Sequence, residues 1–372
     1  MSDNGPTHVC FVSLQARGAF FPVAGRKIGG AENQVHHLAA WLAAHGFRVS
    51  VIVEDCGQPD VELADGVELR RLAQPPAEPS AVGRLRRRAA SGVELWRAVK
   101  RLDADVYIQR TAGVETGIVQ HAARSIGKKF IFIASSDAET SGAWRDGMGL
   151  VPLLFRRGIR RADRVVAQHE TQRAAFESAY GRPAIVIPDV YPFESVEHSA
   201  GERIVWVGRC VSVKQPALFL ELARRLPGLE FVMVTTKSEH EAGLIDEISR
   251  EAAAIPNLEF IPGVPWPRLR EVYRSGAVLV NTSVYEGIPN TFFEAAAHGL
   301  AIVTLNVDPD GMLSRDGAGL CAGGDFERLV RLIHGMIEDR GLTRQLADRA
   351  QGLLRERHDI DRVGARIAEL LS

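Results

Sequence analysis

The sequence predicts an α/β protein made of two doubly wound domains that face each other across a cleft. The length of 372 residues favours two domains over one. In each half, short apolar runs typical of buried parallel strands alternate with segments of helical periodicity. A stretch containing Pro and Glu, residues 188–202, shows neither pattern, and we place the domain boundary there. We therefore expect domains at 1–195 and 196–355, and a C-terminal helix at 356–372 that could pack back on the first domain.

The first domain opens with a β-α-β unit. An apolar strand at residues 9–13 leads into a loop that ends at Gly29 and Gly30, and a helix follows at 31–45. Gly46 is a natural stop for this helix, and the next strand is predicted at 49–54. Further strands are predicted at 105–108, 130–133, 164–167 and 184–188, with a helix at 117–126.

The second domain repeats this alternation. Its predicted strands lie at 203–208, 230–234, 258–261, 277–280 and 301–305. Helices are predicted at 216–226, up to about 253, and at 267–273, and residues 326–371 are helical to the end. In such sheets ligands bind at the carboxyl ends of the strands, so we look for functional residues directly after each predicted strand.

The composition is that of an ordinary globular protein, with 46% hydrophobic and 24% charged residues. A net charge of −1 gives no reason to expect nucleic acid as a partner. The four cysteines form no C-x-x-C pair, which disfavours a zinc site or a disulfide scaffold and fits a reducing compartment. No signal peptide and no apolar run long enough to cross a membrane are visible. We expect a cytoplasmic protein.

Residues 285–295, Y-E-G-I-P-N-T-F-F-E-A, are the most informative segment. They follow the predicted strand at 277–280 and carry Glu286 in a Gly/Pro turn and Glu294 in the helix beyond it. A strand, a tight glycine turn and a helix N-terminus form an architecture that holds anionic phosphates. The two carboxylates suit sugar hydroxyls. Together these features indicate a site for a nucleotide-sugar.

Three separated motifs, in this order, make the sequence resemble the GT-B fold glycosyltransferases of family 4, the retaining enzymes of glycosyl transferases group 1. The motifs are Gly29-Gly30-Ala31-Glu32, Val207-Gly208-Arg209 followed by Lys214, and the E-x7-E pair of Glu286 and Glu294. The resemblance covers most of the chain. It implies two Rossmann-like domains, the first on the acceptor side and the second binding the donor.

The resemblance also implies an activity, which is the retaining transfer of a hexose-type sugar from a nucleotide diphosphate-sugar to an acceptor hydroxyl. The acceptor would be a glycan, a lipid-linked molecule or a small molecule, and the pathway polysaccharide or glycoconjugate biosynthesis. The nucleotide-sugar is a co-substrate, and we expect no cofactor and no metal. The leaving phosphate would help to take the acceptor proton, so no dedicated general base is required.

Arg209 and Lys214 are candidates for binding the two donor phosphates and for catalysis. A planar guanidinium and an ammonium stabilise the negative charge that grows on the leaving group as the glycosidic bond breaks. The alternative is that both are surface residues of a polar loop. By resemblance, Glu294 holds the ribose hydroxyls and Glu286 lies against the donor sugar, where it would be catalytic. Their alternatives are a helix-capping Glu and an exposed turn Glu.

Backbone groups complete the expected donor site. The N–H groups of Gly287, Asn290 and Thr291 would face the phosphates and the sugar. Gly29 and Gly30 let the backbone approach a ligand. By resemblance this loop contacts the donor phosphates, through Gly30, and shapes the acceptor entrance, through Gly29.

The loop after the strand at 130–133 departs from the family pattern. Many members carry a His there, whereas residues 134–139 read A-S-S-D-A-E. Asp137 is the candidate to face the sugar or acceptor as a catalytic residue, and Ser136 could donate a hydrogen bond. A turn or capping Asp is an equally open interpretation. Arg110, just past another strand, is a candidate on the acceptor side. The turn at 306–311 also departs from the family and could line the donor pocket or be an ordinary Asx turn.

Two basic clusters remain in the first domain. One contains Arg84, Arg86, Arg87 and Arg88, and the other contains Arg156, Arg157, Arg160, Arg161 and Arg164. Such runs are usually the solvated face of a helix. The alternative is peripheral contact with an anionic membrane at its inner face, where a lipid-linked acceptor would lie.

Other functions are compatible with the same fold. A nucleotide-sugar epimerase or a sugar phosphorylase is one class, and the R-x4-K and E-x7-E pairs argue against it. A catalytically silent relative that binds a sugar nucleotide or a partner is another, suggested by the altered Asp137 loop. The presence of all four presumed donor-binding residues argues against a catalytically silent protein; these are Arg209, Lys214, Glu286 and Glu294.

Overall fold

The computed structural model describes residues 5–22, 29–75, 80–140, 142–193, 201–238, 241, 243–263 and 266–371. The chain divides into two compact units. The first consists of Met1–Tyr191 with Ile360–Ser372, and the second of Pro192–Asp359. Part of the predicted boundary stretch, residues 194–200, lies outside the described residues. Each unit is built on a parallel sheet between helices, which confirms the predicted α/β class.

The sheet of the first unit contains eight strands within the described residues. They are β1 (His8–Val12), β2 (Arg48–Glu54), β3 (Val61–Ala64), β4 (Val67–Leu72), β5 (Val106–Arg110), β6 (Lys129–Ile133), β7 (Arg164–Ala167) and β8 (Ile185–Val186). Their order is β3-β4-β2-β1-β5-β6-β7-β8, and β3 alone among them is antiparallel to its neighbour. The order reverses between β1 and β5.

Helices cover both faces of this sheet. They are α1 (Arg17–Phe20), α2 (Gly30–Ala44), α3 (Ala81–Leu102), α4 (Val114–Ser125), α5 (Gly142–Arg145), α6 (Leu150–Arg161) and α7 (Glu170–Tyr180). Alternate residues of β1 serve the two faces, as the pleat of a strand requires. Val9 and Phe11 pack in the cluster that contains α2, whereas Cys10 and Val12 pack in the cluster that contains α3, α4, α6 and α7.

The second unit has a six-stranded, all-parallel sheet within its described part. The strands are β9 (Arg203–Arg209), β10 (Phe231–Thr236), β11 (Leu258–Pro262), β12 (Gly276–Asn281), β13 (Ala301–Thr304) and β14 (Leu320–Cys321). Their order, β11-β10-β9-β12-β13-β14, is that of a Rossmann sheet. The helices are α8 (Pro216–Arg225), α9 (Leu244–Ala252), α10 (Trp266–Arg274), α11 (Asn290–Ala297), α12 (Phe326–Glu338) and α13 (Arg340–His358).

The last helix, α14 (Ile360–Leu371), belongs to the first unit. Its residues Val363, Ile367 and Leu371 are buried in the cluster that contains β1 and α2. Trp41 on α2 donates a hydrogen bond of 2.7 Å from Nε1 to Asp361 Oδ1. The helix is therefore part of the first core and not an appendage.

All the strands predicted from apolar runs are present, with ends that differ by a few residues. The prediction omits the β3–β4 hairpin and the helices α3, α6 and α7, because their residues are largely polar or arginine-rich. No helix in the described part of the chain combines the length and the apolar character that a bilayer crossing requires.

Candidate active site

The order of strands in the second unit reverses between β9 and β12, which are neighbours. Crevices at such a reversal are where open α/β sheets bind ligands, beyond the carboxyl ends of the strands. The loops that leave β9 and β12 meet at this point. The backbone N–H of Val284 donates to Val213 O over 2.9 Å. Two of the three predicted motifs are thus brought together by the topology.

Buried hydrogen bonds fix the two loops to each other. The indole Nε1 of Trp206, on β9, donates to Thr282 Oγ1 over 3.0 Å. The Thr282 hydroxyl in turn donates to the carbonyl of Lys214 over 2.7 Å. Gln215, the next residue, has a left-handed backbone with φ of 46°, a conformation that residues other than glycine rarely adopt. Such backbone is retained where the surroundings determine it, often at functional sites.

Lys214 and Glu286 form an ion pair at the centre of this site. The Lys214 ammonium donates to Glu286 Oε2, while Asn281 Nδ2 and Ser283 Oγ donate to Glu286 Oε1 over 2.8 and 2.6 Å. The side chains of Lys214 and Glu286 are 19% and 14% exposed, so both reach solvent. Three donors hold the carboxylate in place, and the ammonium retains further N–H donors for an anion.

Arg209 is the last residue of β9 rather than a residue just past the strand, which corrects the predicted position by one step. It is exposed. Among the described residues no ion pair of Arg209 occurs, and its guanidinium can therefore meet an anion without breaking a protein contact. Lys214 lies in the following 3₁₀ turn, Ser212–Lys214.

Two of the three predicted backbone donors begin helix α11. Pro289 precedes the helix and makes no side-chain capping hydrogen bond, and Asn290 and Thr291 are the first two helical residues. The N–H of Phe292 donates to Pro289 O over 2.9 Å, and the helix dipole favours an anion at this end of the helix. Gly287 lies ahead of this turn and is buried.

Glu294 occupies the next turn of α11 and is held by a residue the sequence did not point to. The Tyr273 hydroxyl, from α10, donates to Glu294 Oε2 over 2.5 Å. His298 stacks on the Tyr273 ring, with 5.4 Å between ring centroids, and its Nδ1 lies 2.8 Å from Glu294 O. Burial raises the pKa of the Glu294 carboxyl, and the Tyr273 hydrogen bond opposes that rise.

The turn at 306–311 is organised by its own aspartate. Asp308 Oδ1 accepts the backbone N–H of Leu313 over 2.7 Å, and Asp308 Oδ2 accepts the Ser314 hydroxyl over 2.5 Å. These bonds reach five and six positions ahead, farther than the two positions of an Asx turn, so Asp308 closes a wider loop. Asn306 nevertheless contacts the site, because its Nδ2 lies 3.3 Å from Ser283 O.

In the first unit, Gly29 and Gly30 begin α2. Gly29 is the cap residue and Gly30 the first helical residue. A Cβ at Gly29 would lie 2.0 Å from Glu32 Oε2, because the Glu32 side chain folds back over the cap. Glu32 in the first turn complements the helix dipole, as predicted from the sequence. Residues 23–28, which form most of the preceding loop, lie outside the described residues.

Asp137 lies in a 3₁₀ turn after β6 and is contacted from α7. Gln172 Nε2 donates to Asp137 Oδ1 over 3.1 Å. His169 Nε2 lies 3.1 Å from the same oxygen but is not aligned as a hydrogen bond. His169 caps α7 through Nδ1, which accepts the Gln172 N–H, so the ring proton is on Nε2. A histidine thus stands beside this loop, although the loop itself has none.

Ser136 and Glu139 shape the same loop. Ser136 Oγ accepts the Ala138 N–H over 3.3 Å, which makes it a turn-forming residue here. Glu139 is buried, and its carboxylate accepts the Ser135 hydroxyl over 2.7 Å and the Ala112 N–H over 3.1 Å. Burial raises the pKa of Glu139 to about 7, against the lowering effect of these hydrogen bonds.

Arg110 is not an open cleft residue within its unit. Its side chain is 4% exposed, and Nη2 donates to both Asp189 oxygens over 2.8 and 2.9 Å. Gln168 Nε2 donates to Asp189 Oδ2 over 2.7 Å. A buried guanidinium requires such a partner, so Arg110 holds β5 to the segment after β8.

Sequence reasoning missed several members of these sites. Asn281 and Ser283 could have been found, because Asn281 ends the apolar strand β12 and Ser283 follows two positions later. His169 carries the same signal, since it follows β7 by two positions. Tyr273 carries none, because only the packing of α10 brings it to Glu294.

Comparisons with known proteins identify the family of each unit. A family model described as "Glycosyl transferase 4-like domain" matches residues 29–189, and one described as "Glycosyl transferases group 1" matches residues 201–339. Each match falls within one unit and includes the motifs of that unit.

Individual relatives are more distant. A D-inositol 3-phosphate glycosyltransferase of Nocardia farcinica is 26% identical over 219 residues, which cover 52% of this chain and 49% of the relative. The chain thus spans about half the length of this curated relative.

Two solved structures match nearly the whole chain. The sucrose-phosphate synthase of Thermosynechococcus elongatus has a TM-score of 0.81 at 17% identity, covering 98% of each chain. Anabaena HepE, solved with UDP and glucose, has a TM-score of 0.75 at 16% identity, covering 98% of this chain and 99% of its own. This likeness identifies the fold. The chain therefore belongs to the family 4, group 1 glycosyltransferases and has the GT-B fold.

Proposed function

We propose that the protein is a retaining hexosyltransferase that moves a hexose-type sugar from a nucleotide diphosphate-sugar to an acceptor hydroxyl, without a metal ion. The observation that carries the proposal is the Lys214–Glu286 pair at the strand reversal of the second unit, close in sequence to the uncapped start of α11. A cation, a carboxylate and a helix N-terminus are the groups that a sugar diphosphate requires.

Arg209, Lys214 and the first turn of α11 bind the diphosphate. Negative charge grows on the leaving phosphate as its bond to the sugar C1 breaks. Fixed cations and N–H groups then stabilise the transition state more than the ground state, which accelerates the reaction. Lys214 exchanges its contact with Glu286 for a phosphate oxygen when the donor enters.

Glu286 and Glu294 bind the sugar hydroxyls of the donor. Glu286 stays oriented by Asn281 and Ser283 after Lys214 moves, and accepts from hydroxyls of the transferred sugar. Glu294, held by Tyr273, accepts from the ribose hydroxyls. Both carboxylates are anchored by neutral donors, which keeps them in a productive orientation.

Asp137 acts on the acceptor side of the reaction, and Gly29 and Ser136 also contribute to the acceptor site. The acceptor oxygen bonds to C1 on the face from which the phosphate leaves, and the acceptor proton passes to a phosphate oxygen. Asp137 orients the acceptor hydroxyl and is itself oriented by Gln172 and His169. The acceptor is a glycan, a lipid-linked molecule or a small molecule, and the product a polysaccharide or glycoconjugate.

A uridine diphosphate-sugar is the first donor to test, because the structural relative HepE was solved in complex with UDP and with UDP-glucose. Thermal unfolding would be followed with UDP, GDP and ADP, and with CMP as a control. A bound nucleotide raises the unfolding temperature by mass action. We expect a shift with one diphosphate that is lost in Arg209→Ala and retained in Arg250→Ala, a matched exposed arginine on α9. No shift with any nucleotide would contradict the proposal and favour a silent relative.

The chemistry has its own test. The donor selected by the thermal shift should be hydrolysed slowly by the purified protein, and Glu294→Ala should abolish this. The anomeric configuration of the released sugar, read by proton NMR before mutarotation, should equal that of the donor. Inversion would refute retention, and loss of activity in a chelator would refute metal independence.

A further inference from the structure

The start of α6 and Met148, two positions ahead of it, present apolar side chains to solvent. Met148 is fully exposed at 101%, and Leu150, Leu153 and Val151 are 68%, 54% and 43% exposed. We call these four residues the α6 tip. Single exposed apolar residues are ordinary, but a contiguous group of them marks a surface that meets another apolar phase.

The opposite face of α6 is fixed to the first unit, so the α6 tip cannot turn inward. Phe155 is fully buried and packs edge-on against Phe132 and Tyr180, with ring centroids 5.5 and 5.8 Å away. A Cβ at Gly158 would lie 2.8 Å from Thr116 O on α4, and one at Gly117 would lie 2.5 Å from Leu154 O. The backbones of α4 and α6 therefore touch, which leaves no freedom of rotation.

The turn before α6 is held as well. Arg156 Nη1 donates to the carbonyls of Arg145 and Gly147 over 2.9 and 2.8 Å. The side chain of this arginine, a member of a predicted basic cluster, therefore folds back over the turn that precedes α6. It keeps Met148 next to the first turn of α6.

The rest of the exposed stripe of α6 is basic. Arg157, Arg160 and Arg161 are exposed on the turns that follow the α6 tip, and we call them the arginine face. Among the described residues, the nearby acids contact other groups. Asp146 pairs with Arg145 over 2.7 Å, and Asp163 accepts the backbone N–H of Phe130 over 2.8 Å. The surface therefore joins an apolar end to an uncompensated positive stripe.

We infer that the α6 tip and the arginine face dock the first unit on an anionic lipid bilayer. The apolar side chains enter the acyl boundary, and the guanidinium groups meet lipid phosphates. A second copy of the chain fits less well, because a symmetric contact would oppose two arginine faces. A nucleic acid would match the charge but leave the α6 tip in water.

The other predicted basic cluster lies on α3. Arg86, Arg87 and Arg88 are exposed there, and the side chain of Arg84 lies outside the described part of the chain. Because α4 packs against both α3 and α6, these arginines belong to the same side of the sheet. Among the described side chains of α3, the large apolar ones that are exposed are Val82 and Val93, which lie eleven positions apart and form no group like the α6 tip.

The place of α6 in the fold gives the docking a functional meaning. A helix that connects two parallel strands begins at their carboxyl edge, and β6 and β7 are parallel neighbours joined through α6. The α6 tip therefore lies at the edge from which the Asp137 loop leaves β6. Docking brings this loop to the bilayer surface, which points to a lipid-linked acceptor. This last step rests on the proposed transferase function, whereas the docking does not.

Vesicle flotation of the full chain tests the docking. Vesicles of phosphatidylcholine alone are compared with vesicles that contain about one third phosphatidylglycerol. We expect flotation with the anionic vesicles only. Arg157→Gln/Arg160→Gln should weaken the binding about 25-fold, since each arginine contributes about fivefold near an anionic surface. Leu150→Ser/Leu153→Ser should weaken it at least about tenfold.

Matched controls separate a specific surface from general adhesion. Leu63→Ser removes an exposed apolar residue of β3, and Arg340→Gln/Arg344→Gln removes exposed arginines of α13. Both should float like the unaltered protein. No flotation, or equal losses in the controls, would overturn the inference. So would a dimer in sedimentation that Leu150→Ser/Leu153→Ser converts to a monomer while vesicles remain unbound.

The diphosphate thermal shift is measured on the same variants. A thermal shift with a diphosphate but no flotation would refute the docking and leave the proposed function intact. Flotation without any nucleotide-induced thermal shift would support the docking and contradict the proposed function. A lipid-linked acceptor further requires that the Leu150→Ser/Leu153→Ser variant lose transfer to a vesicle-borne hydroxyl acceptor while its donor hydrolysis stays unchanged.

Discussion

At the scale of single residues, the Lys214–Glu286 pair makes a prediction that separates binding from chemistry. Glu286→Gln keeps an acceptor for Asn281 and Ser283 but removes the charge that holds Lys214. Lys214 is then available to phosphate, so the affinity for the diphosphate should stay equal or rise. Turnover should fall about a hundredfold, because the sugar loses its charged acceptor. Calorimetry with the diphosphate and steady-state kinetics measure the two effects.

Lys214→Met is the complementary variant. It removes a charge-assisted contact, so diphosphate affinity should fall by about tenfold or more. If Glu286→Gln weakened the diphosphate as strongly as Lys214→Met, the two side chains would act as one structural unit and the assignment of separate roles would be wrong.

Tyr273 makes a second prediction through the titration of Glu294. Burial raises the pKa of Glu294, and the Tyr273 hydroxyl opposes this by stabilising the carboxylate. Tyr273→Phe should raise the pKa further, so the protonated form, which accepts ribose hydroxyls poorly, persists to higher pH. As the pH is lowered, we expect diphosphate affinity to begin to fall at a higher pH in Tyr273→Phe than in the unaltered protein. If the pH dependence of the affinity were the same in both proteins, Tyr273 would pack against its neighbours without affecting the titration of Glu294.

How much of the site the sequence predicts depends on distance along the chain. Glu286, Glu294 and the start of α11 lie within one strand–turn–helix segment, whose local pattern predicts their neighbourhood. The contact between Lys214 and Glu286 spans 72 positions and follows from the strand order, which periodicity alone does not give. Tyr273 and Arg110 depend on packing, and Arg110 is accordingly buried against Asp189 instead of open.

At the scale of secondary-structure elements, the loop after β6 carries a buried titratable group. The pKa of Glu139 is raised to about 7, above its unfolded value near 4.5. The folded state therefore binds the proton more tightly, and stability is lost as the pH rises from about 4.5 to about 7. Up to about 3 kcal/mol of unfolding free energy is involved.

Glu139→Gln keeps an acceptor for the Ser135 hydroxyl and the Ala112 N–H without a charge. We expect it to unfold at a higher temperature than the unaltered protein at pH 8 and at a similar temperature at pH 5. Thermal unfolding across this range measures the difference. A variant destabilised at both pH values would mean that the second carboxylate oxygen, which accepts the Ser135 N–H, is required.

Elements were predictable where apolar residues define them. The strands of both sheets are short apolar runs, and their interiors agree with the structure. The 22-residue helix α3 was missed because its arginines hide the single row of buried residues that includes Leu95 and Val99. The hairpin β3–β4 was missed because it is an edge, where charged residues replace the apolar pattern.

At the scale of the whole molecule, the return of α14 to the first unit makes the stability of that unit depend on the end of the chain. Gly364 faces the Trp41 ring, and a Cβ there would lie 2.4 Å from Trp41 Cδ2. Gly352, on α13, has open space where its Cβ would be. Alanine favours a helix over glycine by about 1 kcal/mol at either position, so the two substitutions differ in packing alone.

We expect Gly364→Ala to displace α14 from α2 and to destabilise the first unit by about 2 kcal/mol, whereas Gly352→Ala is neutral or stabilising. Hydrogen–deuterium exchange resolves the result by peptide. In Gly364→Ala, residues 360–371 and α2 should exchange faster, while the peptides of α11 and β12 keep their protection. The diphosphate should still protect those second-unit peptides, because Arg209, Lys214 and Glu294 all lie in Pro192–Asp359. Equal acceleration in both units would mean that α14 supports the molecule as one cooperative body.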